Sequence, residues 1–144
     1  MQDVRTIAKF FLSKNSMTHK KVQKLCYYAQ AWHLANYGVP LVPNRFEAWV
    51  HGPVSPDLYL VYKEWGWADI PQQQDCPPVM PQEKKFLERV WEIYGKYAPC
   101  ELEAFACREL PWRKARGNCS PSANSRNPIS MKDMRDYYGK RIHR

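Results

Sequence analysis

The side chains in this 144-residue chain that could carry out chemistry are few and scattered. Five cysteines (Cys26, Cys76, Cys100, Cys107, Cys119) and four histidines (His19, His33, His51, His143) are the candidates for nucleophile, base or metal ligand. The cysteines are odd in number and form no CxxC pair, and the histidines lack HExxH or His-x3-His spacing. Neither a disulfide framework nor a zinc site is indicated, and no metal or other cofactor is expected. Cys26 and His33 would share one face of a helix, but at 1.5 Å rise per residue they stand about 10 Å apart, too far for a nucleophile–base hydrogen bond. Cys26 with His51 stays geometrically open. No Gly-x-Ser-x-Gly elbow, Gly-rich phosphate loop or pair of carboxylates on a helix face occurs, so the chain reads as a non-enzyme with no catalytic residue and no small-molecule substrate.

Two further stretches suit binding. In EAWVHGPVSPDLY, residues 47–59, Gly52 can turn the chain without a Cβ, Pro53 fixes φ near −65°, and Pro56 behind Ser55 starts a helix, so the stretch reads as a corner that aims that helix. Trp49 and His51 fall on the face opposite Phe46, Ala48 and Val50, and either packing or partner contact would account for them. In PWRKARG, residues 111–117, Arg113, Lys114 and Arg116 flank Trp112 as phosphate clamps flank a stacking ring. The alternative is that Trp112 anchors the segment in the core and the three basic residues form a wet rim.

Charge sharpens that choice without deciding it. The net +8 divides into +5 over residues 1–24, −4 over 25–107 and +7 over 108–144. Basic ends can track a phosphate backbone, or steer an acidic protein partner and speed its association. No apolar run approaches the roughly 20 residues that span a bilayer, and the N-terminus does not read as a signal peptide, so a cytoplasmic protein is expected.

The elements that must position these residues are mostly helical. Val4, Ile7, Ala8, Phe11 and Leu12 repeat at helical spacing over residues 2–14, with Arg5 and Lys9 on the wet side. Thr18 N-caps a long second helix whose Val22, Leu25, Cys26, Ala29, Trp32, His33 and Asn36 form one stripe until Gly38. Residues 46–50 alternate like a short strand, with Ile129 as candidate partner, and Ser55-Pro56-Asp57 opens a helix facing inward through Leu58, Val61, Tyr62 and Trp65. Residues 68–80 read as an extended linker. Pro81 and Pro99 start two more helices, the first with Phe86, Leu87, Val90, Ile93, Tyr94 and Tyr97 inward. The second ends near Leu110, before Pro111. Residues 113–128 read as a polar loop, and Ser130 with Asp133 caps a last helix lined by Met131, Met134, Tyr138 and Ile142. The expected fold is mainly α, a compact single domain over residues 1–144 with about six helices and at most a short two-stranded β element.

Four blocks, KLCYYAQAWHLANYGVPL, FEAWVHGPVSPDLYLVY, KYAPCELEAFACRELPWRKARG and ISMKDMRDYY, occur in this order over about residues 24–138, leaving a basic tail at 139–144. Together they resemble the Panacea domain, described as phage-associated GepA-like and including SocA-like antitoxins. The resemblance implies a mostly helical, non-enzymatic antitoxin that neutralises a toxin encoded by a neighbouring gene through direct protein contact, in a bacterial or phage-infected cell. It carries over onto Leu25, Tyr27, Tyr28, Trp32 and His33, onto Ala48, Trp49, Gly52, Pro53, Val54 and Tyr59, and onto Pro111, Trp112 and Arg116. His51 fills a place where the family more often has an aromatic or another polar residue. The alternative is a nucleic-acid-binding phage regulatory protein using its basic ends.

Overall fold

The computed structural model describes residues 1–142. Its elements are α1 (Val4–Leu12), β1 (Met17–Thr18), α2 (His19–Tyr37), β2 (Glu47–Trp49), β3 (Gly52–Val54), α3 (Pro56–Tyr62), β4 (Asp69–Ile70), α4 (Pro81–Tyr94), α5 (Pro99–Arg108), α6 (Leu110–Arg116) and α7 (Met131–Gly139), with a 3-10 turn at Lys63–Trp65. The fold is mainly helical, as the periodicity implies. Two small antiparallel pairings accompany the helices, β1 with β4 and β2 with β3.

Helix starts follow local chemistry. The Thr18 hydroxyl accepts from Lys21 N–H at 3.2 Å, Ser55 Oγ from Leu58 N–H at 3.3 Å, and Ser130 Oγ from Asp133 N–H at 3.2 Å. Each satisfies an amide that the helix leaves without a partner, worth about 1 kcal/mol. Gly38 closes α2 in the left-handed region at φ 74°, where it costs least.

The long helix is not one-faced. Every residue of α2 from Val22 to Ala31 is buried, while Asn36, expected on the inner stripe, is exposed. α2 is the axis of the molecule, with α1, α3, α4, α5, α7 and β3 packed around it. Tyr27 packs edge-on against Tyr28, Phe46 and Tyr138, and Tyr28 stacks on Tyr94 with ring centroids 4.2 Å apart. Burying each such side chain contributes about 2 kcal/mol or more, and the hydroxyls are paired as well. Tyr27 donates to Tyr138 at 3.1 Å, and Tyr138 and Tyr28 donate to Glu109 Oε1 at 2.8 and 2.7 Å. Burial raises Glu109 and both α2 tyrosines above their ordinary pKa values.

Four expectations are corrected. Residues 110–116, which span the expected helix end near Leu110 and the first residues of the polar loop expected from 113, form α6: Glu109 takes up the extended conformation required before the turn, and Pro111 then sits in the first helical turn, where a missing N–H costs nothing. Gly52 and Pro53 belong to β3 of a hairpin whose turn is Val50–His51, with Ala48 opposite Pro53. Val61, Trp65 and Ile93, expected inward, are exposed. The segment after Ala68 is not wholly unstructured, because Asp69–Ile70 pairs with Met17–Thr18. Ile129 does meet the strand: its N–H donates to the Phe46 carbonyl at 2.8 Å, on the side of β2 away from β3.

Candidate partner-binding site

The polar side chains inside α2 build the floor of a groove. Ser55 N–H donates to Gln23 Oε1 at 2.8 Å, and Gln23 Nε2 donates to the Ser55 carbonyl at 3.1 Å, so the amide orientation is fixed from both ends. The same amide nitrogen lies 3.0 Å from His19 Nε2, which must therefore present its lone pair. Burial, reinforced by the Lys24 charge, lowers His19 to about 4, consistent with a neutral ring. Further along, Gln30 Oε1 accepts from Leu41 and Val42 N–H at 2.8 and 3.0 Å, tying down the chain after α2.

Lys24 is the functional candidate that sequence reasoning passed over. It is 1% exposed, and its ammonium donates to the Pro53 carbonyl at 3.1 Å. Burial pushes it down to about 8, against the pull of nearby Cys107 and Glu103. Gly52 makes room for it: a Cβ there would stand 2.8 Å from Lys24 Cε, and the backbone φ of 105° already disfavours any other residue. The signal was available in sequence as a lysine inside an apolar helical run, although helical periodicity alone assigns it to no partner.

Above this floor the groove opens, about 300 Å³ in volume, between the start of α2, the β2–β3 hairpin, and the segment from α3 to Trp67. Trp49 and Tyr59 meet edge-on at 4.9 Å and form one wall. Trp67 forms another and is 80% exposed. On the outer side of α3 the apolar surface continues through Leu60, 67% exposed, and Val61. His51 stands at the mouth, with Nδ1 3.5 Å from Glu103 Oε1, and Lys20 Nζ lies 2.5 Å from the same oxygen. That oxygen is buried and receives no well-aligned hydrogen bond, so it is held by charge. Trp49, His51 and Tyr59 thus line one groove, with Gly52 and Pro53 serving its floor.

The remaining sequence candidates lie elsewhere. Tyr28 and Trp32 belong to the aromatic core, Trp32 donating to Tyr94 OH at 2.7 Å. His33 donates from Nδ1 to the Val39 carbonyl at 2.7 Å and meets Phe86 edge-on. Pro111 is buried in α6, and Trp112 donates its indole N–H to the Trp49 carbonyl at 2.9 Å. Arg116, expected on a wet rim, is 4% exposed: it donates to the carbonyls of Ala48, Ser120 and Ala123 at 3.0, 2.8 and 2.7 Å and lies over the Trp112 ring at 4.9 Å. Five rigid donors suit such a loop clasp, and that is why a basic residue ends up inside. Arg113 and Lys114 are exposed, Lys114 pairing with Asp133 at 3.2 Å. Cys26 is buried with its thiol pushed up by burial, while His51 is exposed, and among the described residues no hydrogen bond links them. No group of three or more His, Cys, Asp or Glu gathers among the described residues.

The chain is thus a small, mainly helical protein that leaves an aromatic groove uncovered. Residues 22–113 match the model of the antitoxin SocA-like, Panacea domain family, and the chain belongs to that family. It is 36% identical over 69 residues to the antitoxin SocA of Caulobacter vibrioides (strain NA1000 / CB15N), over 44% of this chain and 37% of that relative. No solved structure matches it. Among the described residues no helix is long and apolar enough to cross a membrane.

Proposed function

We propose that this chain is a single-domain, non-enzymatic antitoxin that neutralises a toxin encoded by the neighbouring gene through direct protein contact, in the cytoplasm of a bacterium or phage-infected host. The observation that carries the reading is family membership. The uncovered aromatic and aliphatic surface from Tyr59 to Trp67 supports it, because exposed tryptophan and tyrosine clusters are what protein interfaces use as anchors. Trp49, His51 and Tyr59 are then the contact candidates, while Tyr28, Trp32, His33, Gly52, Pro53, Pro111 and Trp112 maintain the shape that presents them.

The nucleic-acid reading rests on the basic ends of the chain, and within them on Trp112 as a stacking ring flanked by three phosphate clamps. That indole is held by the Trp49 carbonyl, and Arg116 is occupied by three carbonyls, leaving Arg113 and Lys114. The test is co-expression with the product of the adjacent gene. Rescue of growth together with a stoichiometric complex supports the proposal. Toxicity unchanged and no complex would sink it.

A further inference from the structure

The groove has a chemical preference as well as a shape. Its walls carry Lys20, Lys24 and Lys63 and no carboxylate; Glu64 and Asp69, which adjoin it in sequence, do not line it. These cations are not equally available. Lys24 is committed to the Pro53 carbonyl and Lys20 is shared with Glu103, whereas Lys63 is exposed and makes no ion pair among the described residues. One free ammonium beside one shared one suits a single carboxylate. It does not suit the row of about six or more phosphates that gives nucleic-acid binding its strength, and the Glu103 carboxylate beside Lys20 would oppose such a row. The aromatic walls meanwhile ask for apolar company, and the volume holds about two or three side chains.

We propose that the groove seats a segment of the partner protein in which one acidic residue is flanked by apolar ones, the carboxylate against Lys63 and Lys20 and the apolar side chains against Trp67 and Tyr59. This rests on, and deepens, the antitoxin reading by naming what the toxin presents. A carboxylate brought between two ammonium groups in a half-enclosed site forms a charge-assisted contact, while the tryptophan supplies buried area. Lys63 and Trp67 are exposed and outside the core, so substituting them leaves the fold intact.

Two arms decide it. In the first, affinity for the adjacent gene's product is measured for the full chain, for Lys63→Glu with Trp67→Ala, and for Arg113→Glu with Lys114→Glu as a surface control of equal charge change or more. We expect the groove variant to bind at least about tenfold more weakly and the control to change by less than about threefold. In the second, the indole N–H signal of Trp67, assigned by its disappearance in Trp67→Phe, is followed while an acetylated peptide alternating Glu and Leu, its Lys–Leu counterpart, or a short single-stranded DNA is added. The Glu–Leu peptide should move that signal and the other two should not. A groove variant that holds the toxin as firmly as the unaltered chain overturns the groove and leaves the antitoxin reading standing. A signal moved by DNA or by the Lys–Leu peptide instead of Glu–Leu overturns the carboxylate preference. No toxin complex, with the Glu–Leu response intact, keeps the groove and removes the antitoxin reading; silence in both arms removes both.

Discussion

Trp112 and Trp67 both sit beside basic residues, and the fold puts them to opposite uses. Trp112 is half-buried, its N–H spent on the Trp49 carbonyl and its face covered by Arg116. Trp67 projects from the segment after α3, beside Gly66, and remains largely in solvent. In sequence the first reads either as a stacking ring or as a core anchor, because Arg113, Lys114 and Arg116 follow it within four positions. The difference lies in what surrounds each backbone. Around α6 run a strand edge and a loop whose carbonyls need donors, and a guanidinium supplies several at once. Among the described residues neither the Trp67 indole nor the Lys63 ammonium donates to a backbone carbonyl, so both stay available.

The largest test of that contrast is Arg116→Ala, expected to cost about 3 kcal/mol in denaturant unfolding, because three carbonyls lose their donor and one lies at the edge of β2. Arg116→Lys should recover little, since one ammonium cannot replace the planar fork. A loss below about 1 kcal/mol would return Arg116 to the surface rim.

A smaller effect is expected under the groove. Lys24→Met removes a buried charge whose folded pKa, about 8, lies below its ordinary 10.5. Below pH 8 both folded and unfolded chains hold the proton and the burial penalty is complete. Between 8 and 10.5 the unfolded chain alone keeps it, so native stability from this group rises with pH. The variant should therefore be more stable at pH 7 by about 1 kcal/mol, after losing its bond to Pro53, and that advantage should vanish by about pH 9 and reverse above it. A stability difference independent of pH would show that Lys24 is not titrating in the folded chain as its burial requires.

The smallest effect closes the comparison. Trp67→Ala should leave the unfolding midpoint within about 0.5 kcal/mol of the unaltered chain, the range of substitutions that touch nothing buried. A loss as large as that of Arg116→Ala would mean that Trp67 supports the core.

Local chemistry made much of this fold legible. Thr18, Ser55 and Ser130 announced their helices because an N-cap needs only its own neighbours, and Ile129 was matched to the strand it meets. The helical stripe misled in α2 because it assumes one wet side, and between Val22 and Ala31 this axial helix has none; its Gln23, Lys24 and Gln30 are inside because backbone elsewhere needs them. Pro111 was read as a stop when it stood in a first turn. The groove was legible only in part. Trp49, His51 and Tyr59 come from one quoted stretch, but His19 to Lys24 and Lys63 to Trp67 join them only through the packing of the hairpin and α3 onto α2, which no spacing reveals.

The bonds from Gln23 and Lys24 to Ser55 and Pro53 fasten the hairpin and the start of α3 from below, using backbone atoms and none of the side chains at the lip. The lip can therefore be rewritten without refitting the frame. Replacing Lys63 or Trp67 changes what the groove accepts while every hydrogen bond beneath stays as it is. If the groove seats the partner as proposed, such a protein can follow a partner that changes its surface, or exchange one for another, by a few surface substitutions that each cost no more than about 0.5 kcal/mol.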